Sequence, residues 1–568
     1  MNTEILGVAI QILLMVTLSY PLGKYIAKVY KGEKSLLDFM KPIEKVMFKL
    51  VGINPDEEMN WKQFLRALLT INLFWFFWGM ILLVTQGVLP LNPDGNIGQT
   101  PHQAFNTCVS FLVNCNLQHY SGESGLTYFT QLFVIMLFQF ITAATGMAAV
   151  AGVMKAFSEK TTKTIGNFWR YLVLSCTRIL LPLSLIVGFI LIMQGIPMGF
   201  DGKMEINTVE AGKQYVSQGP AAAIVAIKQI GTNGGGYFGV NASHPLENPT
   251  YLTNIVECCS IMLIPMALAF AFGFYLKRRK LGYCIYAVML GAYLAGVLIN
   301  VSQEMGGNPR IEAMGISQVN GSMEGKEIRI GSAATALWSV ATTATSNGSV
   351  NGMHDSMMPL SGMVEMLNMQ INTWFGGVGV GWMNYFTFVI ITVFISGLMV
   401  GRTPEFLGKK VEAREMKIAS MIALLHPFLI LTGTALAAHL LVHAPQFVTS
   451  EGGWLNNSGY HGLSEMFYEF TSSAANNGSG FEGLGDNTWF WDISSGIVMI
   501  FGRFLPIIGQ IAIAGLLAGK NFIPESAGTL KTDTATFSVM TVAVIFIIAA
   551  LSFFPAHALS TIAEYLSL

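Results

Sequence analysis

Residues 232–241 read TNGGGYFGVN and follow the apolar run AAAIVAIKQI at 221–230 with hardly a pause. A surface turn seldom needs three consecutive glycines straight after a buried-looking helix. Glycine reaches positive φ without steric cost and lets one main chain approach another. The stretch therefore suits a place where bare backbone is put to use. Whether it is a loop or such a place depends on what surrounds it.

The chain has 568 residues, 52% hydrophobic and 11% charged, with a mean hydropathy of +0.52. Soluble domains carry about 25% charge, so most of this chain cannot face water. Ten apolar runs reach spanning length, at roughly 4–23, 64–88, 128–154, 171–195, 250–276, 281–302, 374–400, 416–442, 494–517 and 534–555. The fold class is thus an all-α polytopic membrane protein with membrane lipid as its solvent. The first run lacks a basic leader and a small-residue cleavage site, so it reads as a retained helix. A net charge of −1 gives no ground for a nucleic-acid partner. Cys108, Cys115, Cys176, Cys258, Cys259 and Cys284 show no paired metal spacing and read as small packing residues.

Basic residues gather in 24–66, 155–170, 277–280 and 402–417, whereas 89–127 and 443–493 hold no Lys or Arg. The positive-inside rule makes the basic connectors cytoplasmic. Both termini then lie outside, together with 89–127, 196–249, 303–373 and 443–493. Each of these four stretches carries a short, partly apolar helix leading into a small polar segment: VNCNLQHYSG from Val113, GTNGGGYFG from Gly231, TSNGSVNG from Thr345 and ANNGSGFEG from Ala475. With Asn116, Asn233, Asn347 and Asn477 in register, the copies lie 117, 114 and 130 residues apart. One such segment reads as a turn, but four in equivalent places read as a ring. The expected organisation is an extra helix and basic connector (1–63), four repeats (64–157, 158–280, 281–415, 416–520) and a last extra helix (521–568).

A segment that enters the membrane and turns back must satisfy its backbone against protein or a water-filled cavity. Four such strands offer carbonyl oxygens that replace the hydration shell of a potassium ion. The helix before each strand aims its negative end at that cage. Hard oxygen ligands without an acidic ring favour K+ over divalent ions. Asn347-Gly348-Ser349 and Asn477-Gly478-Ser479 also fit the glycosylation pattern, but a glycan has no room in a re-entrant loop.

GTNGGGYF with HPLENP (244–249), ATTATSNGS (341–349), AANNGSGFEGL (474–484) and GRTPEFLGKK (401–410) together resemble the family of potassium-binding subunits (KdpA) of the bacterial Kdp potassium-transporting ATPase. That resemblance implies a pseudo-four-fold, channel-like body of helix, pore loop, helix repeats, related to potassium channels and Trk/Ktr-type transporters. It implies K+ as the transported ligand, a P-type catalytic partner (KdpB) that hydrolyses ATP, the small partners KdpC and KdpF, and a place in the bacterial inner membrane. The implied selectivity filter comprises Asn114, Cys115 and Asn116, then Gly231, Thr232, Asn233 and Gly234, then Thr345, Ser346, Asn347 and Gly348, then Ala475, Asn476, Asn477 and Gly478, with Gln118 at the filter mouth. Cys115 and Leu117 depart from the commoner pattern of a threonine and an aromatic.

The chain contains no aspartyl-phosphate DKTGT and no G-x-x-x-x-G-K-[ST], so no nucleotide site and no catalytic site of its own are expected. Energy must come from a partner or an ion gradient. The alternative to a pump subunit is a stand-alone K+ channel or an ion-coupled Trk/Ktr-type transporter. Charges deep in spans are functional suspects, which singles out Glu257, His426 and Arg503. Arg402 ends the run FISGLMVGRTP, where Gly397, Gly401 and Pro404 argue for a broken helix. Arg402 and Arg503 are expected to share an inner vestibule below the filter with the gating glycines Gly397 and Gly401.

Overall fold

In a computed structural model, the protein is described at residues 3–210, 212–447, 454–524 and 530–568. Parts of the expected outer stretches 196–249 and 443–493 and of the last expected segment thus lie outside the described residues. Among the described residues ten helices are long and apolar enough to cross a membrane. We number them as spans: 1 (Thr3–Lys31), 2 (Trp61–Val88), 3 (Tyr128–Ser158), 4 (Phe168–Met193), 5 (Tyr251–Tyr275), 6 (Arg279–Ala313), 7 (Val380–Met399), 8 (Ala413–His443), 9 (Trp489–Ala518) and 10 (Ala535–Leu559).

Between spans 2 and 3, 4 and 5, 6 and 7, and 8 and 9 stand four shorter helices: Pro101–Leu112, Ala221–Ile230, Ser332–Ala344 and Gly459–Ala475. These are pore helices 1 to 4. Most residues of each are buried, and each ends at one of the polar segments. Burial separates the spans into two classes. Spans 3, 5, 7 and 9, which follow the loops, have 56–78% of their most apolar window buried. Spans 2, 4, 6 and 8, which precede them, have 22–44%, and spans 1 and 10 have 22% and 28%. The chain thus builds an inner ring of four helices around the loops and an outer ring facing lipid.

Small residues let the inner ring close tightly. Span 3 carries the run ITAATGMAAVAGV at 141–153. A Cβ on Gly146 would stand 2.3 Å from the Val378 carbonyl oxygen, and one on Gly379 would stand 2.1 Å from that of Gly146. Interfaces of small residues are what lets backbones pack within a bilayer. Beyond the end of span 7, the Lys409 ammonium of GRTPEFLGKK donates to the Ala518 carbonyl at 3.2 Å and the Lys520 carbonyl at 3.0 Å. It thereby caps the negative end of span 9.

One expected span is corrected. The run 374–400 is not a single helix. A helix at Pro359–Ile371 ends on Asn372 in the left-handed region, and span 7 resumes only at Val380. The eight residues between include Phe375, Gly376 and Gly379 at positive φ. The break therefore falls in NTWFGGVG (372–379) and not at Gly397–Pro404, where span 7 simply ends in a turn. The reason is local: two glycine positions supply the left-handed backbone, and the segment is held by loops rather than by its own ladder.

A ring of four re-entrant loops

After each pore helix the backbone turns left-handed, then returns, then turns left-handed again. The first turns are at Asn114 (φ 63°), Thr232 (48°), Ser346 (49°) and Asn476 (51°), and the second at Asn116 (62°), Gly234 (95°), Gly348 (87°) and Gly478 (100°). This sets the register, and it corrects the expected one in the first loop by one residue. Cys115, not Asn116, stands level with Asn233, Asn347 and Asn477. Asn116 occupies the position that the other three loops give to glycine, which asparagine tolerates better than most residues.

The glycines are where loops touch. A Cβ on Gly234 would lie 1.6 Å from the Asn347 carbonyl oxygen, one on Gly348 2.2 Å from that of Asn477, and one on Gly478 2.1 Å from that of Cys115. These contacts run from loop 2 to 3, 3 to 4 and 4 to 1. The fourth edge, between loops 1 and 2, is met from the other side. A Cβ on Gly235 would lie 2.0 Å from the Asn116 carbonyl oxygen, while Gly236 lies against the Lys228 side chain of pore helix 2, at 3.0 Å. Three successive glycines in TNGGG thus serve three neighbours.

Side chains in the ring turn sideways. The Asn233 amide donates to Asn114 Oδ1 at 2.6 Å, that of Asn347 to the Lys228 carbonyl at 3.3 Å and that of Asn477 to the Thr342 carbonyl at 2.9 Å. Thr232 Oγ1 accepts from the Val378 N–H at 3.0 Å. Gln118 pins the mouth, accepting from the Gly236 N–H at 2.7 Å and donating to its carbonyl at 3.0 Å. The carbonyls of Cys115, Asn233, Asn347 and Asn477, and those of Asn116, Gly234, Gly348 and Gly478, accept no hydrogen bond among the described residues. All eight residues are buried. Buried carbonyls are almost always paired, and eight bare ones in four neighbouring loops have the ligand chemistry that suits a desolvated cation.

The scaffold behind the ring contains its own charges. Pore helix 2 carries a fully buried Lys228, ion-paired to Glu247 and donating to Asn241 Oδ1 at 2.8 Å. The segment HPLENP is thereby the counter-charge bracket of that helix. Glu257 on span 5 accepts from the Gln229 amide at 2.9 Å, and His426 lies 3.1 Å from the Met369 carbonyl.

At the inner end, the 372–379 segment crosses beneath the loops. The Gly376 N–H donates to the Ala344 carbonyl at 2.7 Å and Ser346 Oγ to Asn372 Oδ1 at 2.9 Å. Beside it opens a cavity lined by Ser346, Asn372, Asn384, His426, Asn476 and Arg503, which continues outward to span 10. Arg503 is buried, with its guanidinium 3.5 Å from the Thr142 carbonyl and no carboxylate within ion-pair distance among the described residues. Arg402, expected to share an inner vestibule with Arg503, is instead exposed on the turn after span 7 and does not line this cavity. Gly397 packs on Pro404, and Gly401 has open space around it. The composition of NTWFGGVG was the available signal for the true break.

The profile of the family Potassium-transporting ATPase A subunit matches residues 9–566. A potassium-transporting ATPase potassium-binding subunit from Phocaeicola vulgatus is 83% identical over all of both chains, and one from Bacteroides fragilis 77% identical over all of both. One from Geobacillus kaustophilus is 46% identical over 98% of each. Among solved structures, the potassium transporter TrkH from Vibrio parahaemolyticus superposes with a TM-score of 0.49 at 13% identity, over 89% of this chain and 98% of that one. The chain belongs to the family of potassium-transporting ATPase potassium-binding subunits.

Proposed function

We propose that this chain selects K+ from the extracytoplasmic side in the four-loop ring and delivers it for ATP-driven uptake, as the channel-like subunit of a potassium-transporting ATPase. The observation that carries this reading is the pair of levels of bare, buried carbonyls, whose spacing is fixed by glycine contacts between neighbouring loops. Carbonyl cages of this kind replace potassium hydration and discriminate by ligand number and field strength. The chain binds the ion and does not hydrolyse nucleotide. A P-type catalytic partner, KdpB, performs hydrolysis, and the small partners KdpC and KdpF complete an assembly in the bacterial inner membrane, with this chain's termini outside.

Beneath the ring, the 372–379 segment and the Arg503 charge oppose direct passage of a cation to the cytoplasm. The ion instead leaves sideways through the cavity that continues to span 10, toward the ATP-hydrolysing partner. A stand-alone channel would need a straight inner exit, which this arrangement disfavours. Purification of the chain from its native membrane tests the reading. A P-type ATPase should accompany it, with hydrolysis stimulated by K+. Isolation of the chain alone, conducting K+ passively in vesicles, would refute it.

A further inference from the structure

A cluster of different chemistry lies where loops 1 and 4 meet. His119 lies three residues beyond Asn116. Glu469 projects from pore helix 4, and Asp486 lies between loop 4 and span 9. His119 Nε2 stands 3.6 Å from Glu469 Oε1 and 3.8 Å from Asp486 Oδ2. One ligand atom from each of the three lies within 4.8 Å of the others. Zinc takes nitrogen and carboxylate oxygen ligands at ~2.0–2.2 Å, so tetrahedral partners stand ~3.4 Å apart. The two separations from His119 lie within a few tenths of an ångström of that value, and the two carboxylates lie within 4.8 Å of each other.

Two further observations point to a ligand rather than to an ordinary ionic cluster. The Glu469 and His119 side chains are each 1% exposed, yet both Glu469 carboxylate oxygens and His119 Nε2 make no hydrogen bond. The other ring nitrogen, Nδ1, bonds Asp492 Oδ1 at 2.6 Å, and Asp492 Oδ2 is held by His102 at 2.5 Å. A carboxylate behind the imidazole fixes the tautomer that presents a bare Nε2 to a metal. Asp486, 27% exposed, leaves a solvent path to the cluster. By contrast, the trio Asp355, His461 and Glu465 is already engaged in hydrogen bonds. Both His461 nitrogens are bonded, and Glu465 accepts from the Asn456 and Asn457 N–H groups.

We propose that His119, Glu469 and Asp486 bind a divalent first-row transition-metal ion of the zinc class, with a water as fourth ligand and Asp492 orienting the imidazole. The ion clasps loop 1 to pore helix 4 beside the contact between Gly478 and Cys115. The site stands whether or not the ring carries potassium, since binding of zinc is read separately from transport.

The test uses the full complex purified from its membrane, stripped with a chelator and titrated with Zn2+ against a chromophoric zinc indicator. The wild type should take up one more equivalent than His119→Gln and Glu469→Gln, and zinc should raise its unfolding temperature but not theirs. Asp492→Asn should weaken that equivalent ~10–100-fold. His119→Cys, which restores a zinc ligand, should bind again and guards against simple misfolding. Equal zinc uptake by the wild type and all four variants, or no uptake by the wild type, would overturn the assignment.

Discussion

Loop 1 and the other three loops do the same task with different residues. Loops 2, 3 and 4 place glycine at the second left-handed turn, because a neighbour's carbonyl lies where a Cβ would go. Loop 1 places Asn116 there, and the clearance is provided across the edge by Gly235. Loops 2 to 4 carry asparagine at the middle position and anchor it sideways, whereas loop 1 carries Cys115, whose short thiol is a weaker donor than an amide. The four-fold symmetry therefore lies in the backbone and not in the side chains. This is expected when main-chain oxygens are the ligands.

The strongest way to break that comparison is to put a side chain where loops touch. Gly234→Asp forces a Cβ into the Asn347 carbonyl, demands positive φ of a non-glycine residue and adds a carboxylate among neutral oxygens. Apparent K+ affinity should fall ~100-fold, about 2.7 kcal/mol, and K+, Rb+ and Na+ should stimulate ATP hydrolysis more equally. Gly202→Asp, in the second repeat but away from its polar segment, would bring its Cβ to 3.0 Å from Asp94 Oδ1 and so is a less clean control than its sequence suggests. Gly306, exposed with open space around it, is better. Gly306→Asp should stay within about two-fold of wild type, as surface changes usually do. Wild-type selectivity in Gly234→Asp would break the account of the ring.

Arg503→Gln removes the buried charge below the loops. A passive K+ leak should rise roughly tenfold, equivalent to about 1.4 kcal/mol off a barrier, with more ATP consumed per ion. Arg402→Gln should leave both unchanged, because that side chain is exposed and outside the cavity. Flux and hydrolysis measured together in proteoliposomes distinguish the two.

A smaller effect lies at the outer rim. Burial by itself lowers the His461 imidazole, but Asp355 and Glu564, each at 2.8 Å, outweigh it and lift the group to about 10. A raised folded-state value means stability that is fully present below the ordinary histidine range near ~6.5 and lost as pH climbs through about 10. The difference in unfolding temperature between wild type and His461→Gln should therefore be largest near pH 6 and vanish above pH 10. A difference that grows with pH would contradict the bridge. The mildest expected changes sharpen the comparison itself. Asn116→Gly and Cys115→Ser should each move K+ affinity by no more than ~3-fold, since neither removes a backbone oxygen. A large loss in Cys115→Ser, read by the same cation series, would make the side chain a ligand.

Much of this was legible in the sequence because lipid leaves few options. Ten apolar runs became ten spans, and four polar segments behind short helices became four loops. The first-loop register was not legible, since Cys115 resembles neither the asparagines nor the glycines, and only the φ pattern aligns it. The break at 372–379 was hidden because Trp374, Phe375 and Val378 read as part of an apolar span. These residues are buried, but in a crossing segment rather than a helix. Arg402 was read by nearness in sequence to glycines that merely end a helix. His119 gave no signal, because its partners lie more than 300 residues away.

The central claim is that eight bare carbonyls hold the transported ion. Replacing K+ by Rb+ and locating the anomalous scattering of rubidium in crystals of the assembled complex tests it most directly. The account predicts the strongest peak on the ring axis, between the carbonyl levels of Cys115, Asn233, Asn347 and Asn477 and of Asn116, Gly234, Gly348 and Gly478. A strongest peak in the cavity beside Arg503, with none in the ring, would contradict it.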